Sequence, residues 1–209
     1  MILALALSGS VTALPPSSEI ALRENHPKAA VLVLDLQKDF LADDGKMVVE
    51  RRQIPGMLAA TNAVIEQART QNHVVVYIGN EFSPGDWLMN LFRRGAAVKG
   101  TPGTAMDPRV TIVSPYYFPK QQGNAFTNPA LEPFLRGKGI TELVVTGVYS
   151  DGCVKETTEG ALRLGFPVTV LSDAVASSTS RRNEQALRDM SQAGAQVLSS
   201  QEWQTNSRR

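Results

Sequence analysis

The strongest constraint on the fold is a rhythm of short apolar runs, each too brief for a helix, alternating with longer stretches of helical period. AAVLVL (Ala29 to Leu34) and VVVYIG (Val74 to Gly79) are continuous apolar runs, the pattern of strands buried on both faces. RVTIV (Arg109 to Val113), ELVVTG (Glu142 to Gly147), PVTVLSD (Pro167 to Asp173) and AQVL (Ala195 to Leu198) predict four further strands. Between them lie helix-like segments: Met57 to Thr70, Pro129 to Arg136, Cys153 to Leu164 stopped by Gly165, and Arg182 to Ala193. Ser83 to Pro108 is rich in Gly and Pro and predicts a loop with one short helix over Trp87 to Arg93. Strands alternating with helices imply βαβ units. The expected fold is therefore α/β, a three-layer α/β/α sandwich. Its doubly wound, mainly parallel sheet has about six strands, with helices on both faces.

The 209 residues suit one domain with a full core, and no linker or repeat divides them. The expected organisation is an N-terminal arm over residues 1–28, a single domain over 29–203 and a frayed tail over 204–209. MILALALSGSVTALPP is apolar, but no basic residue precedes Arg23, so an arm is favoured over a signal peptide. A net charge of +1 gives no reason to expect nucleic acid or an anionic membrane as a partner. The single cysteine, Cys153, excludes an internal disulfide and a Cys-rich zinc site, and a free thiol suits a cytoplasmic setting.

In a doubly wound sheet, ligands sit beyond the carboxyl ends of the strands. Reactive residues should therefore follow strands, and three stretches do so. The first strand runs into Asp35 in LDLQKDF, the second into Asn80, and the fourth opens into VYSDGCVKE. A lone cysteine is more often a small buried hydrophobe than a nucleophile. Here, however, Cys153 falls between a strand end and a helix start, where unpaired N–H groups and the helix dipole should lower its pKa. A carboxylate such as Asp35, after a buried strand, could simply cap a turn, or serve as a base if a cation tunes it. His26 and His73 lie away from these strand ends and read as structural or surface residues. Lys120, in FPKQQGN, reads on its own as a solvated loop lysine.

LDLQKDF, KQQGNAF (Lys120 to Phe126) and TGVYSDGCVKETTEGALRLGFPVTVLSDAVAS (Thr146 to Ser177), in this order, resemble the three signature blocks of the isochorismatase-like cysteine hydrolases. The resemblance spans roughly Ala29 to Leu198 and implies an Asp-Lys-Cys triad of Asp35, Lys120 and Cys153. In that triad the aspartate is the base, the lysine orients it and the cysteine is the nucleophile. The resemblance also implies a cis peptide at Val148-Tyr149, with the backbone N–H groups of Tyr149 and Cys153 forming an oxyanion hole. Nicotinamidases of this family carry a D-x-H-x-x-H metal motif after the second strand. NEFSPGDW contains no histidine, so neither a metal nor another cofactor is expected. Isochorismatases proper generally lack the cysteine, so Cys153 points away from vinyl-ether cleavage. Asn124 and Ser150 stand where many members carry serine and threonine.

The expected activity is hydrolysis of a C–N bond in a small amide or ureido/carbamoyl compound through a thioester. Candidate pocket residues are Gln37, Phe40, Asn80, Trp87, Phe126 and Tyr149. The alternative is a catalytically idle member acting as a binding or scaffolding protein. A homo-oligomer, dimer or tetramer, is expected, with the N-terminal arm as one candidate contact.

Overall fold

The computed structural model describes residues 28–207, so the arm expected over residues 1–28, with His26, lies almost wholly outside them. Six strands form one sheet: β1 (Ala29–Leu34), β2 (Val74–Asn80), β3 (Tyr117–Lys120), β4 (Glu142–Val148), β5 (Val168–Ala176) and β6 (Gln196–Leu198). Their order is β3-β2-β1-β4-β5-β6, and every pairing is parallel. The connections reverse direction across the β1–β4 junction, which makes the carboxyl ends of these two strands the place for a ligand.

The helices are α1 (Lys38–Leu41), α2 (Ile54–Thr70), α3 (Trp87–Phe92), α4 (Leu131–Gly137), α5 (Lys155–Arg163), α6 (Ser180–Gln192) and α7 (Ser200–Asn206). The unbroken apolar run of β1 is buried along its whole length because the sheet is covered on both sides. Ala29, Val31 and Val33 face one core with Met57, Leu58 and Ile65 of α2 and Trp203 of α7. Ala30, Leu32 and Leu34 face the other, with Leu131 and Leu135 of α4, Ala161 of α5 and Met190 of α6. The period of two in β1 thus reaches both layers.

Four expectations are corrected. The third strand is Tyr117–Lys120, and Arg109 to Val113 is loop. The β-branched run RVTIV is satisfied by side chains instead of a ladder: Asn62 Nδ2 donates to the Arg109 carbonyl, and the Thr111 N–H donates to Asn62 Oδ1. Tyr77 Oη donates to the Thr111 carbonyl and accepts from the Val113 N–H. YFPK can be a strand because it lies at the sheet edge, where Pro119 needs no ladder donor.

The second correction concerns Cys153, which precedes its helix: Ser150–Val154 form a wide turn before α5 begins at Lys155. Third, α2 starts at Ile54, earlier than the periodicity suggested, with Pro55 in its first turn. Fourth, residues 204–206 are helical, where a frayed tail was expected. A capping box between Ser199 and Glu202 starts α7, and Trp203 anchors it in the core.

Candidate active site

Asp35 follows β1 directly and takes φ +56°, a left-handed conformation uncommon for a residue with a side chain. Its N–H still donates to the Ile78 carbonyl at 2.8 Å, so the carboxylate is held against the end of β2. In the β2–β3 register, Asn80 stands beside Lys120. β4 comes close beside β1 at Gly147, where a β-carbon would run into the Leu34 carbonyl and φ is +119°. After it the Val148-Tyr149 peptide is cis, and the wide turn carrying Cys153 follows.

These strand ends bring Asp35, Asn80, Lys120 and Cys153 together. Lys120 Nζ donates to Asp35 Oδ2 at 2.8 Å, to Asn80 Oδ1 at 2.7 Å and to Cys153 Sγ at 3.2 Å. Asn80 Nδ2 also approaches the sulfur, at 3.6 Å. The Lys120 side chain is fully buried, so the solvated loop lysine suggested by its local sequence is in fact the centre of a buried network. Burial alone would pull its ammonium down. The Asp35 charge leads the opposing effects, and with the hydrogen bonds to Asp35 and to the sulfur it holds the ammonium above the ordinary lysine range. Asp35 Oδ1 is buried and accepts no hydrogen bond, leaving one carboxylate oxygen open for a proton.

The Cys153 thiol departs from expectation. Burial pushes it up to about 12, the Asp35 carboxylate adds to the rise, and Lys120 and Asn80 oppose it. The anticipated lowering by a helix terminus is overridden, because the thiol is buried beside the Asp35 carboxylate and sits two residues before the helix begins. The sulfur lies between a carboxylate, which favours the thiol, and an ammonium, which favours the thiolate.

Cys153 opens onto a cavity of about 510 Å³ walled by Met47, Phe92, Arg94, Tyr149 and Arg182. Of the candidate pocket residues, Tyr149 lines this cavity. Phe40 is buried behind it, edge-on to the Tyr149 ring at 5.9 Å. Asn80 belongs to the polar network. Gln37 is fully buried and acts behind Asn80: its amide accepts from the Asn80 N–H and donates to the carbonyls of Asn80 and Thr104. Trp87 is exposed on α3 outside the cavity wall, and Phe126 stacks on Phe166 in the second core. Asn124 caps a short turn by accepting from the Phe126 N–H, and Ser150 is buried at the start of the turn that carries Cys153, with its hydroxyl unpartnered.

Lys46, Phe92, Arg94 and Arg182 line the cavity without having been singled out from the sequence. Their placement depends on how the loop at Lys46, the end of α3 with the turn after it, and the start of α6 converge, and no local pattern encodes that. Among the described residues, no group of three or more His, Cys, Asp or Glu is arranged to hold a metal ion. No helix among them is long and apolar enough to cross a membrane.

A family model described as the isochorismatase domain matches residues 29–202. A probable inactive nicotinamidase of Arabidopsis thaliana is 29% identical, over 86% of this chain and 96% of its own length. An isochorismatase-like hydrolase from Alkaliphilus metalliredigens superposes with a TM-score of 0.79 at 26% identity, covering 86% of this chain and 98% of that one. An N-carbamoylsarcosine amidase from Thermoplasma acidophilum superposes with a TM-score of 0.72 at 25% identity, covering 83% and 96%.

Proposed function

Because this chain belongs to the isochorismatase family, whose amidohydrolases act on non-peptide C–N bonds, we propose that it cleaves a small amide or ureido/carbamoyl compound with Cys153 as nucleophile. The observation that carries this reading is the buried network in which one ammonium, Lys120 Nζ, touches both a carboxylate and the sulfur. Asp35 Oδ1 takes the thiol proton while Lys120 and Asn80 stabilise the thiolate that forms. The sulfur attacks the carbonyl carbon, and the oxyanion is held by the backbone N–H groups of Tyr149 and Cys153. Asp35 returns the proton to the departing nitrogen, and ammonia or an amine leaves behind a thioester. Water then adds to the thioester, gives a proton to Asp35, and releases the acid as the thiol re-forms. No step needs a metal.

The test is ammonia release from a panel of linear ureido compounds, carbamoyl amino acids and aromatic amides, with mass spectrometry of quenched reactions. Turnover should come with a mass increment on Cys153. Cys153→Ala should lose at least about a thousandfold in rate while keeping its melting temperature. An alanine variant with undiminished turnover would sink the mechanism.

The second reading, an idle binding protein, draws on the Arabidopsis relative named as inactive. It predicts no adduct and no turnover across the whole panel. The intact Asp35–Lys120–Cys153 network favours the enzyme, because a buried ion pair is costly to keep without a task. We assign the chain to the cytoplasm, where a lone free thiol is maintained. Self-association belongs to the same proposal. The exposed face of α3 presents Trp87, Leu88, Leu91 and Phe92 to solvent and is a candidate contact.

A further inference from the structure

We propose that the compound cleaved at Cys153 carries a carboxylate, and that Arg94 is the residue that selects it. This rests on the amidohydrolase reading and adds the charge of the substrate to it. The cavity in front of the thiol is lined by three cationic side chains, Lys46, Arg94 and Arg182, and by one anionic side chain, Asp151. Asp151 is already engaged: it accepts from the Ser177 hydroxyl and pairs with Arg182 at 3.3 Å. Arg94 has no acidic partner among the described residues. In a chain whose net charge is only +1, this concentration of cations is a property of the cavity.

The turn that presents Arg94 is built firmly. Arg94, Gly95 and Ala97 all have positive φ, of 53°, 70° and 51°, which is uncommon for the two residues bearing side chains. The Ala97 N–H donates to the buried Asp39 carboxylate at 2.8 Å, and the Gly95 N–H donates to the Asn90 carbonyl at 2.7 Å. Lys46 Nζ donates to the Gly95 carbonyl at 2.8 Å, tying a second cation to the same turn. The backbone of this turn is held while the exposed Arg94 guanidinium stays uncommitted, so it can take a carboxylate with two parallel hydrogen bonds, a geometry that a neutral amide cannot exploit. Phe92 and Tyr149 supply apolar wall, and a volume of about 510 Å³ suits a small molecule with one end at the thiol and its carboxylate at the mouth. N-carbamoyl amino acids have this form.

The experiment measures Kd by calorimetry on the Cys153→Ser protein with two ligands of one skeleton, N-carbamoylglycine and its neutral primary amide. The acid should bind at least about tenfold tighter at low ionic strength, and the preference should shrink with salt. Arg94→Met should bring the two ligands close to parity, while Arg94→Lys should retain part of the preference, with circular dichroism showing that each variant is folded. Equal binding of the two ligands, no measurable binding of either, or a preference that survives Arg94→Met overturns the inference. Failure of the amidohydrolase reading is seen separately, in wild-type protein that forms no adduct on Cys153 and releases no ammonia from any compound in the panel.

Discussion

Lys120 is the residue on which the site depends, because three partners share one buried ammonium. Replacing it with methionine leaves Asp35 as an uncompensated buried charge, which costs about 3–5 kcal/mol. Lys120→Met should therefore lower the urea midpoint as well as abolish turnover, whereas Cys153→Ala should affect turnover alone. The proton affinities give a second signature. The folded state holds the Cys153 proton up to about 12 and the Lys120 proton above the ordinary lysine range, while an unfolded chain releases the thiol proton from about pH 9. Above that pH the unfolded state binds fewer protons than the folded one, so stability falls as pH rises and is fully present at neutral pH. Urea titrations between pH 7 and 11 should show a decline confined to the alkaline side. In the resting enzyme, alkylation of Cys153 by iodoacetamide should keep climbing past the pH at which an ordinary thiol levels off. Levelling near pH 9 would contradict a thiol held protonated by its surroundings.

At the scale of elements, close approach of β1 and β4 sets the site, and Gly147 permits it. Gly147→Ala puts a methyl group against the Leu34 carbonyl in a conformation that disfavours any side chain. A loss of about 2 kcal/mol or more in denaturant unfolding is expected, with a matching loss of activity. The same scale explains what could be read in advance. Strands buried on both faces announce themselves as apolar runs, so β1, β2 and β4, and with them Asp35, Asn80 and the Cys153 turn, were legible in the sequence. β3 was not, because an edge strand of four residues containing a proline has a weaker pattern than the loop RVTIV nearby. Placing Lys120 at the end of β3 required its pairing with β2, which is a tertiary fact; the local sequence alone suggested a solvated residue. The raised thiol pKa was missed for a similar reason. A helix terminus can be guessed from a glycine and a strand end, but the depth of burial and the neighbouring carboxylate come only with the assembled sheet.

For the whole molecule, the apolar face of α3 stands out against an otherwise mixed surface. Trp87 and Phe92 are each 73% exposed, and Leu91 is 69% exposed. If this face joins copies of the chain, the double substitution Leu88→Asp, Leu91→Asp should reduce the mass seen by light scattering to that of a monomer. An unchanged mass would place the contact elsewhere. Sheet order carries a different consequence. The strands divide into β3-β2-β1, all from the first two-thirds of the chain, and β4-β5-β6 from the remainder, and the two sets of strands hydrogen-bond to one another only where β1 meets β4. Across that seam, Lys28 and Thr141 hydrogen-bond at a separation of 113 residues. Asp35, Asn80 and Lys120 ride on one half and Cys153 on the other, so the thiol and the carboxylate proposed to take its proton are strangers until the seam closes. Two fragments divided between residues 138 and 139 should each be inert and regain ammonia-releasing activity on mixing. The return of catalysis then acts as a clock for the last long-range step of folding.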